Sequence, residues 1–409
     1  MSYTFIELSR AGKFSAILFC FLAFLLPLSV SALDWGILTD HSVEQEGIGS
    51  KPDDIHYQAY LIPWLSSPLG QNADLYISAA FNANLEKGEW ALAPELFRTE
   101  IALDFNNAEL KFGRMQYSDP MGYINSGLFD GISFALDSSA GVFSAGAWYT
   151  GLLYKKTANI NITAEDLAAY NDLLSYDNFA DTYFASRRLA FALGWEHYGI
   201  KEVVRMKISV LGQADLNGRN TQFHSQYLVA RAGIPLGDYF VLDLGGVAGF
   251  AEAGEFQASL AGELGLSFFL PTQIQDRLKF TGIFSSGKSG SLSPFIPITT
   301  ISQGSILKAK ISGLSLLGLD YTARLHRTFS FSLASTYFIL SDLGTYQGWP
   351  LEKNGYFLGN EFFARLIWSP VSDIQFNLGG GLFVPAMGNA DPEAGLKWKV
   401  ELNATLAIF

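Results

Sequence analysis

From Phe256 to Leu270 the chain reads FQASLAGELGLSFFL, and its even positions are apolar or glycine throughout: Phe256, Ala258, Leu260, Gly262, Leu264, Leu266, Phe268 and Leu270. The odd positions include Gln257, Ser259, Glu263 and Ser267. A period of two held over this length predicts a long β-strand with one apolar and one wet face, and is unlike the three-to-four spacing of a buried helix. Phe256 and Phe268, near the two ends of the apolar face, stand where the aromatic girdles of a membrane barrel would fall.

The same division recurs along the chain. Phe97, Thr99, Ile101, Leu103 and Phe105 alternate with Arg98, Glu100, Ala102 and Asp104, so charge falls on one face only. Val204, Met206, Ile208 and Val210 oppose Arg205, Lys207 and Ser209, and Leu278, Phe280, Gly282 and Phe284 oppose Arg277, Lys279 and Thr281. Near the end, Leu396, Trp398, Val400, Leu402, Ala404, Leu406 and Ile408 oppose Lys397, Lys399, Glu401, Asn403 and Thr405. A soluble β-sandwich also alternates, and two features separate the cases. Several segments reach about 11 residues, the length of a tilted membrane-spanning strand, whereas globular strands average about 5–6. Short and long connections also take turns. Asn106-Asn107, Asp137 to Ala140, His197 to Lys201, Pro235 to Asp238, Pro271 to Gln275, His326-Arg327 and Ser369-Pro370 are short; between them lie Gln116 to Gly127, Tyr154 to Ala185, Gly287 to Ser312 and Ser341 to Gly355. Short turns on one side and long loops on the other are the habit of outer-membrane barrels.

The expected fold is therefore all-β, a transmembrane antiparallel up-and-down β-barrel with both termini periplasmic. Counting from Ile55 to Phe409 finds about 17 strands, and even parity asks for one more. The weakly alternating stretch Asp34 to Val43, separated from Ile55 by a polar loop with Glu44, Glu46 and Lys51, supplies it for a total of about 18. If that stretch is a periplasmic tail, the barrel has about 16.

Ahead of the strands, Arg10 and Lys13 precede the apolar run Ala16 to Leu28, and Val30, Ser31 and Ala32 supply small residues. This reads as a secretory signal peptide, residues 1–32, cleaved after Ala32 to leave the barrel 33–409 as one domain. A retained anchor is the alternative, but Pro27 interrupts the run and it is short for a span. The single cysteine, Cys20, falls within this segment, so the exported chain would have neither disulfide nor thiol chemistry. No later apolar run has the length of a transmembrane helix, so a membrane protein made from this chain has to be a closed barrel.

Composition agrees with strands: 33 Phe, 18 Tyr and 40 Gly stand against 16% charged residues. A net charge of -12 argues against a nucleic-acid partner. The histidines His41, His56, His197, His224 and His326 show no metal-binding spacing, there is no GxSxG elbow, and no phosphate loop or dinucleotide fingerprint appears. No enzymatic activity, cofactor or metal is expected.

A barrel of this size leaves an aqueous channel unless something fills it. Opposite the apolar faces lie the basic residues Arg98, Lys111, Arg188, Arg205, Lys207, Arg277, Lys279, Arg324, Arg365, Lys397 and Lys399. The acidic ones are Glu100, Asp104, Glu109, Glu196, Asp243, Glu263, Asp320, Glu361, Asp373 and Glu401. These are the expected pore-lining residues. Their two signs nearly balance, which implies a polar conduit rather than a ring of one charge. In the longest loop, Tyr154 to Ala185, Thr163 can cap a short helix with Asp166 three residues on, and the loop either folds inward to narrow the lumen or lies outside.

Lys111-Phe112-Gly113-Arg114, followed after a polar loop by Leu128-Phe129-Asp130-Gly131-Ile132, resembles the alginate-export and related porin barrels, where a Gly-Arg pair precedes a loop and an Asp-Gly opening. Here Met115 intervenes before Gln116. The resemblance covers about two strands and implies a passive channel for an anionic polysaccharide or another solute. The terminal Phe409 resembles the aromatic end by which the barrel-assembly machinery recognises outer-membrane proteins, although it is one step out of phase with Ile408 and Leu406.

The expected protein is a passive, porin-like channel in the outer membrane of a Gram-negative-type bacterium, surrounded by lipid and passing small polar or saccharide solutes. The alternatives are an anionic-polysaccharide export channel and a barrel whose loops serve adhesion or recognition over an occluded lumen. A cysteine at position 263 should then react with a water-soluble thiol reagent, and one at 264 should not.

Overall fold

The computed structural model describes residues 33–409, apart from 87, 201–202, 219–221 and 351–354. The expected signal peptide and Cys20 lie outside the described residues. From the N-terminal side the wall strands are β1 (Asp34–Ile48), β2 (His56–Pro68), β3 (Ala73–Glu86), β4 (Glu89–Phe105), β5 (Ala108–Ser118) and β6 (Ser126–Ser138). They continue as β7 (Gly141–Tyr149), β8 (Arg188–Ile200), β9 (Val204–Asp215), β10 (His224–Leu236), β11 (Phe240–Glu252) and β12 (Phe256–Phe269). The last six are β13 (Arg277–Ser285), β14 (Leu314–Ala323), β15 (Phe329–Leu340), β16 (Phe357–Val371), β17 (Ile374–Val384) and β18 (Lys397–Ile408). A two-residue stub, Lys51–Pro52, merely folds back on Gly47 and Ile48.

Every strand pairs antiparallel with its sequence neighbours, and β1 also pairs with β18 from Ile37↔Ile408 to Ile48↔Lys397. The result is a closed antiparallel barrel of 18 strands. Closure removes the free edges that an open sheet of this size would expose. The stretch at the N-terminus is thus a wall strand rather than a tail. It runs past the expected Val43 to Ile48, so Glu44 and Glu46 are strand residues and not loop residues.

Directly paired residues share a face, so the register sorts the wall. Leu110↔Phe134, Leu244↔Leu264 and Leu278↔Phe268 fall on the outer side, where Leu244, Leu264 and Leu278 are exposed. An outward surface of leucine and phenylalanine is stable only against hydrocarbon. Stacked aromatic pairs gather at the strand ends. Phe240 and Phe268 lie 4.6 Å apart, and Trp368 stacks between Phe329 and Phe376, all beside short turns. Phe250 and Phe256 stack at the opposite end.

Two sequence details resolve here. The expected turn at Ser369-Pro370 is displaced to Ser372 and Asp373, because β16 continues through a register shift between Trp368 and Val371. A bulge tolerates Pro370, which has no N–H for the ladder. Phe409 follows Ile408 around the barrel end and sets its ring edge-on to Trp64 at 6.0 Å, which accounts for its being one step out of phase with the lipid-facing set.

Candidate functional site

Three loops leave the long-loop end of the barrel and turn inward. From 119–125 come Met121, Tyr123 and Ile124; from 150–187 come Leu153, Ala158 and Ile160; from 286–313 come Phe295, Ile298 and Ile311. All pack in one apolar cluster with lumen-facing Ala190, Ala192, Leu211, Tyr227, Val229, Val247 and Ala261. The cause lies in the strands: near mid-height the inward positions of β8 to β12 are these small or apolar residues, and water in the lumen would otherwise wet them. A sequence signal for this exists in the unbroken apolar run Tyr227 to Ala230, since strands buried on both faces lose their alternation.

The 286–313 loop crosses the barrel. Near its middle the N–H groups of Ile298 and Thr299 donate to the Ile124 carbonyl at 2.8 and 3.0 Å, and that of Thr300 donates to Asn159 at 2.8 Å. Residues 303–309 then close a small hairpin through Gln303 and Ala309. Its tip is held by the opposite wall. One carboxylate, Glu361 on β16, accepts the N–H groups of Ser305, Ile306 and Leu307 at 2.6, 3.1 and 3.0 Å. Lys397 donates to the Ile306 carbonyl, and Lys308, in the left-handed backbone region at φ 52°, reaches Glu44 at 3.2 Å and Glu46 at 2.6 Å. In a ring of 18, β6 and β16 stand nearly opposite, so this strap divides the lumen. Glu361→Gln should cost about 1.5–3 kcal/mol for each charge-assisted bond lost. Faster hydrogen exchange at the 305–307 amides, with the barrel amides unchanged, is the expected readout.

The 150–187 loop contains three helices: α1 (Lys155–Ala158), α2 (Ala164–Asn171) and α3 (Phe179–Tyr183). Thr163 caps α2 in a capping box, its side chain accepting from the Asp166 N–H while Asp166 accepts from the Thr163 N–H, each at 3.1 Å. Asp166 also meets Arg188 at 2.6 Å, and Arg188 reaches Asp215 at 3.4 Å, with all three side chains fully buried. Gln213 and the Phe223 carbonyl both accept from the Nη1 of Arg188. Arg188, expected to line the pore, is therefore enclosed beneath the loop and anchors it. Outside the strands, burial raises the Asp342 carboxyl, but bonds from the Thr345 hydroxyl and from the N–H groups of Gly344, Lys288 and Thr345 outweigh it and hold the group below its ordinary value. That junction between the 286–313 and 341–356 loops is intact at neutral pH and loosens only as acid titrates the lowered carboxyl.

The register places Arg98, Glu100, Asp104, Glu109, Lys111, Glu196, Arg205, Lys207, Asp243, Glu263, Arg277, Lys279, Asp320, Arg365, Lys397, Lys399 and Glu401 on the face away from lipid. Glu361 shares that face but is buried under the strap tip. Arg324 and Asp373 are exposed in turns at the short-turn end, beyond the strands. Glu263 is covered by Arg231 at 3.7 Å, whose guanidinium also donates to Pro120 of the inward loop, so Lys207 is the better position for a thiol probe. Missed from sequence were Glu44, Glu46, Arg231 and Lys308, the last because only folding brings a loop tip to the wall. Among the described residues no group of three or more His, Cys, Asp and Glu could hold a metal ion.

Gly113 pairs with Gly131, and Arg114 with Asp130. The Arg114 guanidinium grips Asp130 with two bonds of 2.8 and 2.7 Å and also donates to the carbonyls of Leu96 and Leu152. The Gly-Arg and Asp-Gly pairs thus face each other across one ladder and tie the long loop to the wall.

The near balance of charge in sequence is not a balance at the water interface. Arg98 is 44% exposed where its partner Glu100 is 6%, Arg365 is 40% where Glu401 is 9%, and Lys207 is 45% where Glu196 is 23%. Lys111 with Glu109 and Lys399 with Glu44 run the other way. In the more exposed pairs the carboxylate lies against the wall and the cation stands into the lumen.

Closed wall, inward strap and charged lumen define a porin-like barrel. Among solved structures, the chain is similar to OprD of Pseudomonas aeruginosa, with 12% identity, a TM-score of 0.60, and 92% of this chain and 95% of that chain covered. It is likewise similar to OccK2 (OpdF) of the same organism in complex with glucuronate, with 11% identity, a TM-score of 0.62, and 93% and 98% covered. For OccK5 (OpdH), also of Pseudomonas aeruginosa, the values are 10%, 0.62, 93% and 99%. No family model and no curated protein matches the chain. The neighbours are OprD and Occ porins, so the resemblance read from sequence extends to a porin-like barrel and not to the alginate-export family.

Proposed function

We propose that the chain is a passive outer-membrane channel for small polar solutes, with a preference for anionic ones such as sugar carboxylates. The observation that carries the reading is the set of cationic tips of Arg98, Lys207 and Arg365, standing into the lumen in front of more buried carboxylates. Cations presented to water in a narrow passage raise the local concentration of anions, because the low-dielectric walls confine the field. The glucuronate bound to OccK2 (OpdF) is a solute of this class. Outer-membrane localisation in a Gram-negative-type bacterium, export by the 1–32 signal peptide and insertion by the barrel-assembly machinery through the strand ending at Phe409 belong to the same reading, as does the absence of a catalytic role. Passage of an anionic polysaccharide has less support, because the strap interrupts the cross-section that a polymer would need.

Bilayer conductance under a salt gradient tests the reading. The reversal potential should show anion preference, and Arg98→Glu with Lys207→Glu and Arg365→Glu should shift the permeability ratio roughly tenfold toward cations. A ratio unmoved by the triple change would refute it. A second reading, a barrel used for surface recognition over a closed lumen, draws on the apolar packing of the three loops; a silent barrel in the same experiment would favour it.

A further inference from the structure

The wall is not laddered throughout. β4 pairs with β3 from Glu86↔Glu89 to Ala73↔Leu103 but with β5 only from Thr99↔Arg114 to Phe105↔Ala108. Above that point β5 continues to Ser118 paired with β6, so residues 89–98 of β4 turn a backbone edge to no strand among the described residues. Gly113 stands at the divergence with φ 114°, where a Cβ would run into the Thr99 carbonyl oxygen. Pro94 sits on the open edge, a place where a strand tolerates a residue with no N–H.

Side chains replace the missing ladder. The carbonyls of Leu92, Pro94 and Leu96 accept from the Tyr176 hydroxyl, the Tyr183 hydroxyl (2.7 Å) and the Arg114 guanidinium. Tyr154 and Tyr183 pack on Ala93, and the Thr157 hydroxyl bonds Glu95. Parting two laddered strands would break a whole row of backbone bonds, whereas this seam depends on the position of one loop.

The two sides of the seam differ. Outside, Leu92 and Leu96 are exposed and continue the lipid-facing side of β4. On the lumen side stands the cation of Arg98, while Arg114, paired with Thr99 and Asp130 on the outward face, bridges the divergence. β5 has 11 residues, about one membrane crossing, and Arg114 is the seventh, so the seam above it occupies the outer-leaflet part of the wall.

We propose that this seam is a lateral portal, closed here by the 150–187 loop, which admits a single-chain anionic amphiphile from the outer leaflet to the lumen. The apolar lip receives the chain, and the exposed Arg98 cation receives the acid group. The proposal concerns a side entrance and is independent of the solute selectivity of the axial path.

A photoreactive dodecanoate incorporated in lipid vesicles with the full-length refolded protein provides the test. It should label lumen-facing Arg98 as well as lipid-facing Leu92 and Leu96. Bridging Glu95→Cys to Thr157→Cys with a short bis-maleimide should reduce lumen labelling at least tenfold and leave the outer labelling unchanged. Tyr176→Phe with Tyr183→Phe, which keeps the rings and removes the seam bonds, should raise lumen labelling severalfold. Equal lumen labelling with and without the bridge overturns the portal, and so does lumen labelling absent from both the native protein and the double Tyr→Phe variant. The readout needs no conductance, so a silent barrel would count against the channel reading alone.

Discussion

Replacing Arg188 with methionine will release the 150–187 loop while leaving the barrel closed. The guanidinium is the shared partner of Asp166 on α2 and Asp215 on β9, and all three side chains are fully buried. Removing the cation strands two carboxylates out of water, and breaking a buried pair from one side costs about 3–5 kcal/mol. That penalty falls on the loop, because the wall remains laddered on both flanks of β8 from Arg188 downward. Hydrogen exchange across 164–171 should accelerate and proteases should cut in 150–187, with the heat-modified mobility of the barrel unchanged. Adding Asp166→Asn and Asp215→Asn should recover much of the loss, since a buried charge network removed whole costs far less than one broken from one side. Unaltered exchange at 164–171 in Arg188→Met would show that the triad does not anchor the loop.

Replacing residues 294–310 by a short Gly-Ser linker should raise single-channel conductance roughly two- to threefold, because pore width at the narrowest point governs flow. The segment removed is the strap that runs from the Ile124 carbonyl to Glu361, Glu44 and Glu46. Loss of Lys308 also removes one lumenal cation and leaves Glu44 and Glu46 paired only with Lys399 and Lys397, so anion preference should weaken at the same time. Deleting 154–185 is a less discriminating experiment, since it also uncovers the open edge of β4 and should lower folding yield before it reports on the pore. Conductance unchanged after shortening the strap would place the constriction elsewhere.

Much of the fold was legible because a barrel wall is written locally. Alternation in Phe256 to Leu270 assigns each side chain to lipid or lumen, and Asn106-Asn107 or Pro235 to Asp238 mark turns through residues that suit turns. β1 was legible only to Val43, since Glu44, Glu46 and Gly47 resemble loop residues until Glu401 and Lys399 stand opposite them across the closing ladder. The capping box at Thr163 was likewise readable, being complete within four residues. The Arg188 triad was not, because its partners lie 22 and 27 positions away and only the packed loop brings them together.

The sequence by itself determined a strand-built wall, the face each strand gives to lipid, and the parity that required an additional strand at the N-terminus. These follow from period, length and turn chemistry, all of them short-range. Only the tertiary structure decided how the lumen is used: which charges reach water, which loop crosses the barrel, and where the wall lacks a ladder. The physical reason is that these depend on pairs such as Lys308 with Glu44, separated by 264 residues, and Thr157 with Glu95, separated by 62. Such contacts form only once the ring has closed and its apolar inner surface has drawn the loops inside.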